Sequence, residues 1–265
     1  SGCLAKHTMS KRIKSDSGWG METSLDVEWA HAIAPKAKIL LVEATTPSGT
    51  NLLKAVDYAA ARTDAAAISM SWGGAEFPEE VSLDSHFVST SGASFFASSG
   101  DNGTGASWPA SSPNVVGVGG TSLALASDGS LSKESAWSGS GGGISAYEKE
   151  PAFQTSYAIP RAGGMRAIPD VSYDADPVSG FPIVVKSTWY RVGGTSAGAP
   201  QWAAIAALGR GVTATQLYSD KASVNSNTYF RDITSGTNGT CGYICTARKH
   251  YDYVTGLGSP LTSEF

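Results

Sequence analysis

Long apolar runs are missing from this chain of 265 residues. No stretch is long enough to span a bilayer, and Ser1–Gly18 lacks the apolar centre of a signal peptide. Charge is scarce as well. Charged residues make up 16% and the net charge is −4, with no basic stripe of the kind that grips nucleic acid. The 31 glycines have no triplet period, which excludes a collagen-like chain. Only three cysteines are present. Cys241 and Cys245 enclose Gly-Tyr-Ile, so they read either as a local disulfide, which implies an oxidising compartment, or with Cys3 as buried thiols.

What is present is enough for one core. Hydrophobic residues are 41% of the chain, and neither an internal repeat nor a linker divides it, so residues 19–265 read as one domain. Residues 1–18 carry Lys6, His7, Lys11, Arg12 and Lys14 and read as a basic terminal segment or a processed loop. Beyond them, helical and extended patterns alternate. Helices are predicted over Glu22–Ala34, Leu52–Arg62, Pro78–Ser91 and Ser196–Leu208. Strands are predicted over Lys38–Glu43, Ala66–Trp72, Ser94–Ser99 and Asn114–Val118. Thr121–Tyr190 reads as loop-rich with hairpin-like pieces. The alternation predicts an α/β fold, with a mostly parallel central sheet covered by helices on both faces.

Three segments suggest chemistry. Gly193–Pro200 reads Gly-Gly-Thr-Ser-Ala-Gly-Ala-Pro and places the Ser196 hydroxyl at a helix entrance, where free N–H groups favour developing negative charge. An ordinary helix-capping serine is the alternative. Glu22 and Asp26 stand four residues apart, on one helical face beside an apolar stripe. Either they form a solvated acidic face, or they are a close pair that shares a proton in acid. Asp101 follows a predicted buried strand in Ser98-Ser99-Gly100-Asp101-Asn102-Gly103. Such strand ends are where sites form in α/β sheets, although a turn aspartate fits the same residues. The four histidines, His7, His31, His86 and His250, lack the His-Gly-Thr context of a histidine base.

Five segments, Glu22–Asp26, Ser69–Gly74, Ser99–Gly103, Gly194–Pro200 and Thr255–Pro260, occur in the order found in one family. On them the chain resembles the serine-carboxyl peptidases of the sedolisin family, which have a subtilisin-like three-layer fold. The resemblance implies hydrolysis of peptide bonds in acid, as an endopeptidase or a tripeptidyl-peptidase. It implies Ser196 as nucleophile, Glu22 as general base and acid, Asp26 as its partner, and Asp101 as oxyanion donor. The Ser71-Trp72-Gly73 edge, with Gly194, would bind substrate backbone.

The resemblance also implies one calcium ion. Asp232, Ile233 and Asp252 match its ligand positions, while Arg248 and His250 stand where relatives often have glycines that supply carbonyls. A secreted or acidic, lysosome-like location and zymogen processing would accompany this activity. Family domains begin with a further β-α-β portion, whereas only Ser1–Met21 precede Glu22 here. That portion is expected to be a separate chain of the same precursor or lost, and loss would leave a sheet edge uncovered. Two rival readings are a catalytically inactive peptide-binding remnant of the same fold and a neutral subtilisin-type protease. Asn102 and Asn238 begin glycosylation sequons, and a glycan on Asn102 would crowd Asp101.

Overall fold

A computed structural model describes residues 2–209, 212–221 and 228–261. In chain order it runs β1 (Leu4–Thr8), α1 (Ser17–Ile33), β2 (Ile39–Glu43), α2 (Gly49–Ala60), β3 (Ala67–Met70) and β4 (Gly74–Ala75). A 3-10 helix (Pro78–Phe87) precedes β5 (Ser94–Ser98), β6 (Ser107–Trp108), β7 (Val115–Leu125), β8 (Leu131–Ala136) and β9 (Gly143–Lys149). Then come α3 (Ala152–Tyr157), β10 (Met165–Ile168), β11 (Val171–Asp174), β12 (Phe181–Val185), β13 (Thr188–Val192) and α4 (Gly198–Ala207). Two short strands, β14 (Phe230–Arg231) and β15 (Ser259–Pro260), pair near the C-terminus.

The central sheet has the order β11-β7-β5-β3, with these four strands parallel and β8 antiparallel to β7. Alternate residues of each strand face opposite layers. Phe96, Val116 and Val118 pack into one core with Trp202 and Ala199 of α4. Phe95, Ala97 and Val115 pack into a second with Leu53 and Val56 of α2. Helices therefore cover both faces, as the alternating pattern predicts. Phe96 and Trp202 are fully buried; each contributes on the order of 2–3 kcal/mol by removal of apolar surface from water.

Four differences from the sequence reading have physical causes. Residues 4–8, read as part of a polar terminal segment, form β1, which pairs in parallel with β2 from Leu4↔Ile39 to Thr8↔Glu43. Its composition is polar because the ribbon is mostly exposed. Helix α1 starts five residues earlier than predicted because Asp16 caps it, its Oδ1 accepting from Trp19 N at 3.0 Å. Pro78–Phe87 is a 3-10 rather than an α-helix. The loop-rich stretch after Thr121 holds the antiparallel pairs β9–β10 and β12–β13. Strands β2 and β3 are not paired with each other, so the β1–β2 ribbon stands apart from the five-stranded sheet.

No described helix is long and apolar enough to cross a membrane. Cys241 and Cys245 are joined by a disulfide, with Cα atoms 5.3 Å apart, and the half-buried Cys3 takes no part in it. Asn238 is buried and its Nδ2 donates to Ser140 O at 2.7 Å. Asn238 is thus enclosed, while Gly239 and Thr240 of its sequon are exposed.

Candidate active site

The carboxyl ends of β3 and β5, the start of α4 and one face of α1 meet at a cleft. Helix α1 packs against α4 and β12, anchored by Leu25, which is buried with Phe181, Ile183 and Ala197. Trp29 Nε1 donates to Pro182 O at 3.1 Å, and Val184 N donates to the Glu28 carboxylate at 3.0 Å. These contacts fix the rotation of α1, and with it the direction of Glu22 and Asp26.

Ser71 follows β3 directly. Its hydroxyl lies 2.6 Å from Asp26 Oδ1 and 3.2 Å from Ser196 O. One buried hydroxyl thereby connects α1 to the turn that holds Ser196. The sequence reading assigns the Ser71–Gly73 backbone edge, not the Ser71 side chain, to substrate; the side chain is buried, and Gly73 on that edge is exposed. Trp72 is half-buried, its ring centroid 5.7 Å from that of Trp108. A Cβ on Gly73 would meet Trp108 O at 2.9 Å, so that edge has no room for a side chain.

Burial raises the Glu22 carboxyl from 4.5 to about 7; the charge of Asp101 adds to the effect, and the Ser196 and Ser71 hydroxyls oppose it. Glu22 Oε1 is enclosed without a hydrogen-bond partner, an acceptor held in reserve. Asp26 is raised well above the ordinary carboxyl range, first by burial and then by Glu22, with Ser71 acting in the opposite direction. Two carboxyls this close cannot both ionise cheaply and share a proton. Asp26 is the more enclosed of the two, and Glu22 is the one beside the serine hydroxyls.

Asp101 follows β5 across the cleft. Its Oδ1 accepts from Thr195 N at 2.7 Å and from Thr195 Oγ1 at 2.8 Å. Thr195 Oγ1 in turn accepts from Gly100 N at 3.1 Å. Gly194 has φ of +107°, and a Cβ there would lie 2.6 Å from Asp101 Oδ2. Glycine is required at this position both for its backbone and for the carboxyl that lies over it. Ser196 is half-buried in a 3-10 turn, Thr195–Ala197, that leads into α4. The structure thus brings Glu22, Asp26, Ser71, Asp101, Gly194 and Ser196 to one place. The parts played by the Ser71 and Thr195 side chains are not visible in the sequence motifs.

No histidine is engaged with Ser196. His7 stacks on Tyr58, His86 Nδ1 pairs with Asp57, and the His250 amide donates to Asp232. His31 lies exposed in the last turn of α1.

The residues read as calcium ligands also come together, away from the cleft. His250 N donates to Asp232 Oδ2 and Arg248 N to Asp252 Oδ2, each at 3.0 Å. Asp252 Oδ1 accepts from Val254 N and Thr255 N. Asp232 Oδ1 is buried without a partner, which suits a cation. Among the described residues, no three acidic, histidine or cysteine side chains gather as a metal group. A cation here would therefore need backbone carbonyls, such as that of the buried Ile233.

Comparison with known proteins gives the family and the fold. The Subtilase family matches residues 15–224. Sedolisin of Pseudomonas sp. (strain 101) is 30% identical over 91% of this chain and 47% of its own length. Kumamolisin of Bacillus sp. (strain MN-32) is 33% identical, over 91% and 49%. The chain spans about half the length of these curated relatives. In three dimensions it is similar to Pseudomonas sedolisin complexed with pseudo-iodotyrostatin, with a TM-score of 0.84 and 30% identity, covering 98% of this chain and 83% of that one. The chain belongs to the subtilase family, on its serine-carboxyl peptidase (sedolisin) branch.

Proposed function

We propose that this chain hydrolyses peptide bonds in acid through an acyl-enzyme on Ser196. The observation that carries the reading is the enclosed Glu22–Asp26 pair, joined by Ser71 to the Ser196 turn and facing Asp101. Ser196 Oγ attacks the scissile carbonyl carbon and its proton passes to Glu22. The oxyanion accepts from the protonated Asp101 carboxyl and from the Ser196 amide. Glu22 then gives the proton to the leaving amine as the C–N bond breaks. Water attacks the ester, again with Glu22 as base, and frees the acid and the serine. Asp26 keeps Glu22 oriented and shares its charge. The backbone edge at Trp72–Gly73 pairs with the substrate chain, and Gly194 leaves it room.

Asp101 is a donor only while protonated, so the mechanism is confined to acid. A secreted or acidic location, and an extended peptide or protein as substrate, follow from it. A propeptide or companion chain of the same precursor, and a calcium ion held by Asp232, Asp252 and the carbonyls of Ile233, Arg248 and His250, belong to the same reading. The test is turnover of a mixed peptide library at acidic pH. Ser196→Ala should abolish cleavage while the fold persists, because only one hydroxyl is removed. Unchanged cleavage by that variant would overturn the assignment, and an inert wild-type chain would favour the peptide-binding remnant.

A further inference from the structure

A carboxyl that stabilises an oxyanion must present its proton from one particular oxygen. The hydrogen bonds around Asp101 distinguish its two oxygens. Oδ1 takes two donors, Thr195 N at 2.7 Å and Thr195 Oγ1 at 2.8 Å. Oδ2 takes none among the described residues and lies over Gly194, the second residue before Ser196. The Thr195 hydroxyl has one hydrogen. Because Oγ1 accepts from Gly100 N at 3.1 Å, that hydrogen is directed to Asp101. A neutral carboxyl has one C=O and one O–H, and the oxygen that receives two donors is the C=O.

We infer that Thr195 is a positioning residue for peptide hydrolysis: it holds Asp101 Oδ1 as the acceptor and so directs the Oδ2 hydroxyl toward the substrate oxyanion. The inference rests on the peptidase reading above for its catalytic consequence, while the clamp itself rests on geometry. Thr195 is fully buried, and it adjoins Ser196 in the chain. A single residue therefore fixes the nucleophile and the oxyanion donor relative to each other. The bond from Gly100 N ties the same hydroxyl to the segment that leads into Asp101, so the donor cannot turn independently of its strand end.

The test uses Thr195→Val, which keeps the amide and the shape but loses the hydroxyl, and Thr195→Ser, which keeps the hydroxyl. Thr195→Val is expected to lower kcat about tenfold, the worth of one hydrogen bond to a group carrying developing charge, with KM little changed. Thr195→Ser should restore most of the loss. In an Asp101→Ala background, Thr195→Val should cost nothing further, because its effect acts through Asp101. An equal loss in both backgrounds, or no rescue by serine, overturns the inference. Crystal structures give a readout free of turnover: in Thr195→Val the Asp101 carboxyl should turn away from Gly194, and an unmoved carboxyl also overturns it. If the carboxyl turns while Ser196→Ala leaves cleavage intact, the clamp stands and the peptidase reading falls.

Discussion

Ser71 and Asp26 lie 45 residues apart in sequence and 2.6 Å apart in space, hydroxyl to carboxyl oxygen. The Ser71 hydroxyl lowers the Asp26 carboxyl, and to a smaller extent that of Glu22, against the larger upward effect of burial. Ser71→Ala removes the opposing influence, so both carboxyls should rise further. The acid limb of the kcat/KM profile, set by ionisation of Glu22, should move to higher pH. A pH–rate profile with an unmoved acid limb would count against the Ser71 link.

A second group of carboxyls lies outside the cleft. Glu80 and Glu148 are buried, and the half-buried Glu76 and Asp84 lie beside them. Ser111 donates to Glu80 at 2.9 Å, Ser112 to Asp84 at 2.6 Å, and Ser145 to Glu76. Glu148 Oε1 has no partner. Burial first, then neighbouring carboxylates, raise Glu148 from 4.5 to about 7. Glu80 rises from 4.5 to about 7, mainly through burial with Glu76 adding to it. The sign follows from linkage. These groups are more readily protonated in the folded state, so their contribution is fully present below about pH 4.5 and is lost as pH rises through about 7. The melting temperature should fall across that window, and Glu148→Gln should flatten the fall. A melting temperature that rises from pH 4.5 to 7 would contradict the assignment.

Gly194→Ala should be inactive or nearly so. The new Cβ would lie 2.6 Å from Asp101 Oδ2, on a backbone with φ of +107°. The carboxyl must give way, and loss of an oxyanion donor costs roughly 10²–10³ in kcat. Wild-type kcat in a folded Gly194→Ala variant would refute this placement of the donor.

For calcium, chelator should lower the melting temperature near neutral pH, and added calcium should restore it, because binding to the native state alone stabilises it by mass action. Asp232→Asn should abolish that response. Melting curves indifferent to chelator and to added calcium would exclude the site.

The residues of the candidate site were legible in the sequence because each occurs in a short, distinctive segment at the end of a strand or near the start of a helix. Glycine spacing, a lone Ser in Gly-Thr-Ser and a carboxylate pair one turn apart survive translation into a string. The inward turn of the Ser71 side chain did not, since it depends on how α1 is rotated by Leu25, Trp29 and Glu28. Nor did the Glu76, Glu80, Asp84 and Glu148 group, because Ser145 and Glu76 are 69 residues apart and no local pattern predicts their meeting. Strand β1 was missed for a simpler reason: Leu-Ala-Lys-His-Thr is polar, and only its pairing with β2 makes it a strand.

The spread of the cleft along the chain sets an order of events in synthesis. Ser71 and Ser196 O meet across 125 residues, and Thr195 reaches Asp101 across 94. At 5–20 residues per second, the ribosome needs on the order of ten seconds to pass from one to the other. Throughout that interval the emerging polypeptide has the Glu22–Asp26 pair but not the Thr195–Ser196 turn, so the candidate site cannot assemble until both have been made.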